Sequence, residues 1–143
     1  MKAVAKTGFV ADASVAIAWV VESQSAPQTD ELLSIVAEGA PLHVPAIWPY
    51  EVSNTLLTLE RRTRIDGGQG TRALEILTRL NPTVDGDGPH VAMERTRDLA
   101  RKYTLTVYDA AYLELALRRR LPLASRDSAL VQAAELAKVP NLL

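Results

Sequence analysis

The sequence predicts an α/β fold in which a parallel sheet is covered on both faces by helices. Short apolar runs of strand length alternate along the chain with longer segments of helical periodicity, and this alternation is typical of parallel sheets. Turn residues separate the segments, and no long linker interrupts them. With 143 residues, the chain is expected to form one domain over residues 1–143.

Apolar runs bounded by polar or turn-forming residues predict the strands. The first run, GFVA, stops at Asp12, and the second, LHV, stops at Pro45. A third run is weaker, and a fourth ends at Ser125. Strands are therefore predicted at residues 8–11, 42–44, 82–85 and 121–125, with a possible last strand at 139–143.

The spacing of apolar residues predicts the helices. Val52, Leu56 and Leu59 follow the i, i+4, i+7 spacing of one helix face. Leu74 and Leu77 are expected to point inward from a later helix. Helices are predicted at residues 14–21, 27–38, 48–64, 70–80, 89–103, 107–119 and 127–137. The glycine-rich runs at 67–70 and 86–89 are predicted to be turns.

Composition and charge exclude several classes of protein. The chain is 48% hydrophobic and 23% charged, as in ordinary soluble domains. Its net charge of −1 means that nucleic acid would have to bind a local basic patch. The absence of cysteine excludes disulfides and thiolate chemistry. No apolar run approaches the roughly 20 residues that cross a bilayer, and Asp12 interrupts the signal-like start. A cytoplasmic protein with no membrane association is expected.

Four carboxylates lie at or near junctions between predicted strands and helices. Asp12 ends the first strand, Asp127 follows the fourth, Asp109 opens a helix, and Glu51 lies near the start of the longest helix. Open parallel sheets bind ligands in the crevice at the carboxyl ends of their strands. Carboxylates about 4 Å apart there would repel by about 4 kcal/mol per pair, so they either have raised pKa values or hold a cation. Oxygen ligands suit Mg²⁺ or Mn²⁺.

The structural alternative for these four residues is helix capping. Aspartate is a favoured N-cap residue, and a glutamate in a first turn complements the helix dipole. Other chemistry has less support, because phosphate-loop, dinucleotide-binding and nucleophile-elbow motifs are absent. Zinc is disfavoured because neither of the two histidines has the spacing of a metal ligand.

Four short motifs follow one another along the chain. They are D-x-S (Asp12, Ser14), E-x-x-N (Glu51, Asn54), D-x-x-Y-L-x-L-A (from Asp109) and S-x-D-x-x-L (from Ser125, with Asp127). In this order and spacing they resemble the motifs of PIN-domain nucleases, and among these the VapC-type toxins of bacterial toxin–antitoxin modules. Ser125 departs from the pattern, since the family more often has threonine there, but it keeps the hydroxyl.

The resemblance implies a three-layer α/β/α sandwich and a Mg²⁺-dependent endoribonuclease in which Mn²⁺ can substitute. Asp12, Glu51, Asp109 and Asp127 correspond to the family's acidic quartet. Asp12 and Asp109 are expected to be direct metal ligands, while Glu51 and Asp127 either bind a second metal or position water. The supporting polar positions are Ser14, Ser125 and Asn54.

The resemblance also implies partners. They are an RNA substrate, a VapB-type antitoxin and a second copy of the chain in a homodimer. Arg126, beside the site, is a candidate phosphate contact, as are the arginines at 61–64 and 118–120; the alternative is that these arginines solvate helix ends. The helices at 27–38 and 48–64 offer apolar side chains for an antitoxin helix, although core packing is the simpler explanation for most of them.

Two rival interpretations stay open at this point. The first is a non-catalytic PIN-like interaction module whose acidic residues are only helix caps. The second is a phosphotransfer protein, because those folds also place an aspartate after the first strand. A haloacid-dehalogenase enzyme would have D-x-D where this chain has Asp12-Ala13-Ser14. A receiver domain would have adjacent acids there and a late lysine, where this chain has Arg126 after Ser125.

Overall fold

The strands form one parallel sheet. In the computed structural model, which describes residues 1–143, they are β1 (Phe9–Ala11), β2 (Leu42–Val44), β3 (Thr83–Val84) and β4 (Leu123–Ala124). Their order is β3-β2-β1-β4, and every neighbouring pair is parallel. Val10 of the central strand β1 lies opposite His43 on one side and Leu123 on the other. The predicted parallel α/β sheet is confirmed.

Helices connect the strands and flank the sheet. They are α1 (Lys2–Thr7), α2 (Ala13–Val20), α3 (Pro27–Ala37), α4 (Trp48–Arg61), α5 (Gly67–Arg79), α6 (Gly88–Val91), α7 (Arg97–Tyr103), α8 (Val107–Arg119) and α9 (Ser128–Leu136). A 3₁₀ turn at Glu22–Gln24 follows α2, and a π-helical turn at Ala92–Thr96 joins α6 to α7. One group of helices packs around α2, and the other packs around α8, which also contacts β1 and β4. None of the helices combines the length and apolar character needed to span a membrane.

The core lies around β1, whose three residues are completely buried. This burial explains why the strand is a continuous apolar run, since both faces of a parallel sheet are covered. Leu32 and Val36 of α3 and Leu56 of α4 belong to the same core, so core packing is the correct explanation for these side chains. Gly8, between α1 and β1, has a φ of 83°, and a Cβ there would collide with the carbonyl oxygen of Pro41; only glycine fits this approach.

The glycine-rich segment 67–70 is the first turn of α5, so the turn predicted there is wrong. The Asp66 side chain accepts a hydrogen bond from the Gln69 amide at 2.7 Å, and the Gln69 side chain accepts one from the Asp66 amide at 2.8 Å. This reciprocal capping box starts the helix despite the low helix propensity of glycine. Gly70 also leaves room for the side chain of Glu60, which a Cβ would strike.

Other differences lie mainly at element ends. α4 ends at Arg61, three residues before the predicted end, and α1 was not predicted. Leu77 is buried as expected, but Leu74 is 40% exposed, so its predicted inward orientation is wrong. The possible last strand is reduced to a single bridge between Leu123 and Asn141.

Candidate active site

Asp12 occupies the carboxyl end of the central strand. It is only 5% exposed, and its Oδ1 accepts hydrogen bonds from the Val15 amide at 3.2 Å and the Ser14 hydroxyl at 2.6 Å. The Ser125 hydroxyl donates to Oδ2. Asp12 is therefore the N-cap of α2, as the structural alternative requires. Capping a helix requires only one carboxylate oxygen, however, whereas here hydrogen bonds hold both Oδ1 and Oδ2 of Asp12.

The segment after β4 joins this carboxylate from the neighbouring strand. Ser125 is 1% exposed; its hydroxyl donates to Asp12 and accepts a hydrogen bond from the Asp127 amide at 3.0 Å. The Arg126 amide contacts the Ser14 hydroxyl at 3.4 Å. Asp127 itself is exposed and caps α9 through its Oδ1. These bonds connect the ends of β1 and β4, so D-x-S and S-x-D form one hydrogen-bonded unit.

Glu51 and Asp109 approach from the first turns of α4 and α8, and both are half-buried. The Tyr112 hydroxyl donates to Glu51 Oε1 at 2.5 Å. Sequence reasoning did not single out Tyr112 as a site residue. The available signal was its position three residues after Asp109, because residues at i and i+3 are neighbours on a helix surface.

Electrostatic coupling shows which carboxylates share an environment. Burial raises the pKa values of Asp12, Glu51 and Asp109 above their usual range. Repulsion adds to this: Asp127 raises the pKa values of both Asp12 and Asp109, while Asp109 and Asp12 raise the pKa of Glu51. The hydrogen bonds from Ser125, Ser14 and Tyr112 act in the opposite direction. Each of the four acids is thus coupled to at least two of the others.

The donor chemistry of this cluster fits a hard divalent cation. All of its donors are carboxylate and hydroxyl oxygens, which Mg²⁺ and Mn²⁺ prefer. The ion pairs of the molecule all involve Arg118 or Arg119, so no basic side chain offsets these four acids. No three acidic or histidine side chains are arranged to hold one metal ion between them. Mg²⁺ is commonly held by only one or two carboxylates with several waters, so binding of this ion does not require three such side chains.

The other predicted residues lie in different settings. The Arg126 Nη1 donates to the carbonyl oxygen of Gln24 at 2.9 Å, and the side chain is otherwise exposed. Asn54 is exposed on α4, three residues beyond Glu51. Arg118 is bound to two buried carboxylates and Arg119 forms ion pairs with Asp85 and Asp87, so these two arginines of the run at 118–120 are not free phosphate contacts.

Known proteins share both the sequence pattern and the fold. The chain matches the PIN domain family over residues 9–136. It is 34% identical over 120 residues to VapC ribonuclease Mb0985 of Mycobacterium bovis and to Ribonuclease VapC9 of Mycobacterium tuberculosis H37Rv, a match that spans 83% of this chain and 85% of each relative.

A solved structure agrees in fold. The crystal structure of PAE2754 from Pyrobaculum aerophilum superposes with a TM-score of 0.73 and 22% sequence identity, covering 96% of this chain and 90% of that one. With the parallel sheet order, the ordered acidic motifs and the match to the family over most of its length, the chain belongs to the PIN-domain family and is of the VapC type.

Proposed function

We propose that this chain is a Mg²⁺-dependent endoribonuclease, with Mn²⁺ able to substitute, and that it is the toxin of a VapBC-type module. The observation that supports this most strongly is the cluster of four mutually repelling carboxylates without a basic partner, around the buried Asp12 at the end of β1. The similar Mycobacterium proteins, which are called VapC ribonucleases, support the substrate class.

In this proposal, Asp12 and Asp109 are the direct metal ligands. The hydroxyls of Ser14 and Ser125 hold both oxygens of Asp12, and outer partners of this kind orient a ligand before the metal binds. A divalent cation held there would neutralise charge on the scissile phosphate and increase the acidity of a water molecule. Water attack in line with the sugar 3′ oxygen would leave a 5′-phosphate and a 3′-hydroxyl.

The remaining residues have secondary roles in the proposal. Glu51 and Asp127 hold either a second cation or the attacking water. Asn54, three residues after Glu51 on α4, is proposed as a polar residue that supports the Glu51 carboxylate. Arg126 has guanidinium N–H groups beyond the one bound to Gln24, and these would contact a substrate phosphate beside Asp127.

Cleavage of total RNA by the purified protein, free of any antitoxin, tests the proposal. Fragments are expected with Mg²⁺ or Mn²⁺ and not with EDTA, and mapped ends should carry a 5′-phosphate. Asp109→Asn is the matched control, because cleavage that persists in this variant comes from a contaminating ribonuclease. Fragments that end in a 2′,3′-cyclic phosphate would contradict the mechanism, because they require attack by the 2′-hydroxyl.

The proposed protein partner is a VapB-type antitoxin. The exposed apolar side chain of Ile76 on α5 lines a groove together with Ile65, Arg64 and Arg72, and this groove suits an amphipathic helix with acidic residues. The proposed surface thus comprises α5 and the segment between α4 and α5; the predicted antitoxin contact on the helix at 27–38 stays a prediction. Ile76→Glu is expected to weaken co-purification with the antitoxin and to leave cleavage unchanged; loss of cleavage instead would argue against this surface.

A homodimer is proposed from the resemblance to VapC proteins. Light scattering on the purified chain should then give twice the 15.6 kDa of one copy. A mass of one copy at micromolar concentration would contradict it.

A non-catalytic interaction module is the alternative, and one observation favours it: no three acidic side chains are arranged around a common metal position. Titration with Mn²⁺ separates the two functions. The nuclease should bind Mn²⁺ and lose binding in Asp12→Asn, whereas a module whose acids only cap helices should show no such difference.

A further inference from the structure

We propose that Tyr112 is a positioning residue that holds the Glu51 carboxylate within the acidic cluster and so tightens metal binding. Its hydroxyl lies 2.5 Å from Glu51 Oε1 and bridges α8 to α4, 61 positions apart in the chain. The inference rests on the proposed function, because it assigns a role to Glu51 in binding a divalent cation.

The geometry makes Tyr112 a fixed donor. Its ring is 1% exposed, packed in the core with Leu113 and Leu115 of the same helix, so the hydroxyl has little freedom to move away. Glu51, by contrast, is half-buried and has several rotatable bonds. The hydrogen bond from the fixed Tyr112 hydroxyl on α8 therefore restricts the conformations of the flexible Glu51 side chain on α4.

Repulsion explains why Glu51 needs such a donor. Asp109 and Asp12 both act on Glu51 as like charges, and repulsion favours rotamers that turn Glu51 towards solvent. A tyrosine hydroxyl is protonated at neutral pH, so Tyr112 donates to Glu51. A neutral donor holds the carboxylate without cancelling its charge, which leaves that charge available to a cation.

Tyr112→Phe removes this hydroxyl and keeps the ring. We expect it to weaken Mn²⁺ binding about 10-fold in isothermal titration calorimetry, in the range typical for loss of an outer partner of a metal ligand. Cleavage at subsaturating Mn²⁺ should fall with it, with the KM for RNA unchanged. Tyr103→Phe, on α7, is the matched control for loss of a tyrosine hydroxyl and should bind Mn²⁺ like the wild type.

A double-mutant cycle distinguishes positioning of Glu51 from a general structural role. If Tyr112 acts through Glu51, Tyr112→Phe should change Mn²⁺ affinity in the wild type but not in a Glu51→Gln background. An equal loss in both backgrounds, or wild-type affinity in Tyr112→Phe, would overturn the inference while leaving the proposed function intact. A wild-type protein that neither binds Mn²⁺ nor cleaves RNA would overturn both.

Discussion

Two acidic clusters lie at the carboxyl edge of the same sheet, and they differ in how their charge is balanced. The site cluster comprises Asp12, Glu51, Asp109 and Asp127. The ion-pair cluster comprises Asp85, Asp87, Glu114, Arg118 and Arg119. Asp85 directly follows β3 as Asp12 directly follows β1, and α8 contributes side chains to both clusters. The two clusters therefore occupy similar positions in the fold, and position does not explain why their charge is balanced differently.

In the ion-pair cluster the chain supplies its own cation. Arg118 donates two hydrogen bonds to Asp85, at 3.0 and 2.6 Å, and its Nε donates to the buried Glu114 at 2.9 Å. The hydrogen bonds from Arg118 hold the pKa of Asp85 below its usual range. In the site cluster, burial and repulsion raise the pKa values instead. An arginine thus faces the buried acids of the ion-pair cluster, whereas no basic side chain faces those of the site cluster; in the proposed function this leaves the site acids available to an external cation.

Removing the internal cation should have the largest effect on stability. Arg118→Met removes the cation that is hydrogen-bonded to the buried Asp85 and Glu114, and breaking a buried pair in this way costs about 3–5 kcal/mol. Urea unfolding should report that loss, with Mn²⁺ affinity of the folded fraction unchanged. Arg101→Met, at an exposed position on α7, is the control and should stay within about 0.5 kcal/mol of the wild type.

Removing the central acid of the site cluster should affect activity rather than stability. Asp12→Asn is expected to lower the cleavage rate by about 10²–10³-fold, the typical cost of losing one group that stabilises transition-state charge, and to abolish Mn²⁺ binding. In EDTA its free energy of unfolding should not fall, because the amide relieves the burial of a charge that already raises the pKa of Asp12.

Asp85→Asn provides the opposite case. It removes the charge of the carboxylate that accepts two hydrogen bonds from Arg118 and should destabilise the protein without changing Mn²⁺ affinity. If Asp12→Asn unfolded as readily in EDTA as Asp85→Asn does, then Asp12 would be a structural cap, and the distinction between the two clusters would disappear.

The two clusters should also respond to pH with opposite signs. Asp12 has a raised pKa in the folded state, so it stabilises the fold at a pH below its pKa in the unfolded chain. This stabilisation is lost as the pH rises through its pKa in the folded protein. Asp85 has a lowered pKa in the folded state, so it stabilises the fold at a pH above its pKa in the unfolded chain. This stabilisation is lost as the pH falls through its pKa in the folded protein. The metal-free protein should thus be strained at the site cluster near neutral pH.

A bound cation should relieve that strain. Mn²⁺ at 100 times its Kd should stabilise the wild type by about 2.7 kcal/mol. The gain should decline on acidification at a pH above the usual carboxyl range, since protons compete for acids whose pKa values are raised. Thermal unfolding with Mn²⁺ and with EDTA, from pH 4 to 8, measures this. A gain that does not depend on pH would mean that the ion binds elsewhere.

Local patterns in the sequence predicted the parallel sheet and most of the elements that flank it. The bounds 42–44 and 107–119 agree with β2 and α8, because periodicity and end signals depend on nearby residues. The hydrogen bonds among Asp12, Ser14, Ser125 and Asp127 have the same physical basis as the predicted crevice, because adjacent parallel strands bring their carboxyl ends together. The metal-binding roles assigned to these acids stay predictions.

Side-chain pairing across helices was not predictable in the same way. Arg118 was considered as part of a basic patch because a run of three arginines ends a helix; its bond to Asp85 joins positions 33 apart, which no local spacing shows. The bond between Tyr112 and Glu51 spans 61 positions. In both cases the partner is decided by how α8 packs against the rest of the molecule, which is a tertiary property.

The smallest effect is expected where a neutral hydroxyl holds the central acid. Ser125→Ala removes a buried donor to Asp12 and should weaken Mn²⁺ binding about 10-fold in calorimetry. Ser128→Ala, at an exposed position on α9, is the matched control and should have no effect on binding. The effect is smaller than that of Arg118→Met because a hydroxyl orients a carboxylate but does not neutralise it. If Ser125→Ala bound Mn²⁺ as tightly as the wild type, the hydroxyls would only complete the cap of α2, and the lack of a facing cation alone would distinguish the site cluster.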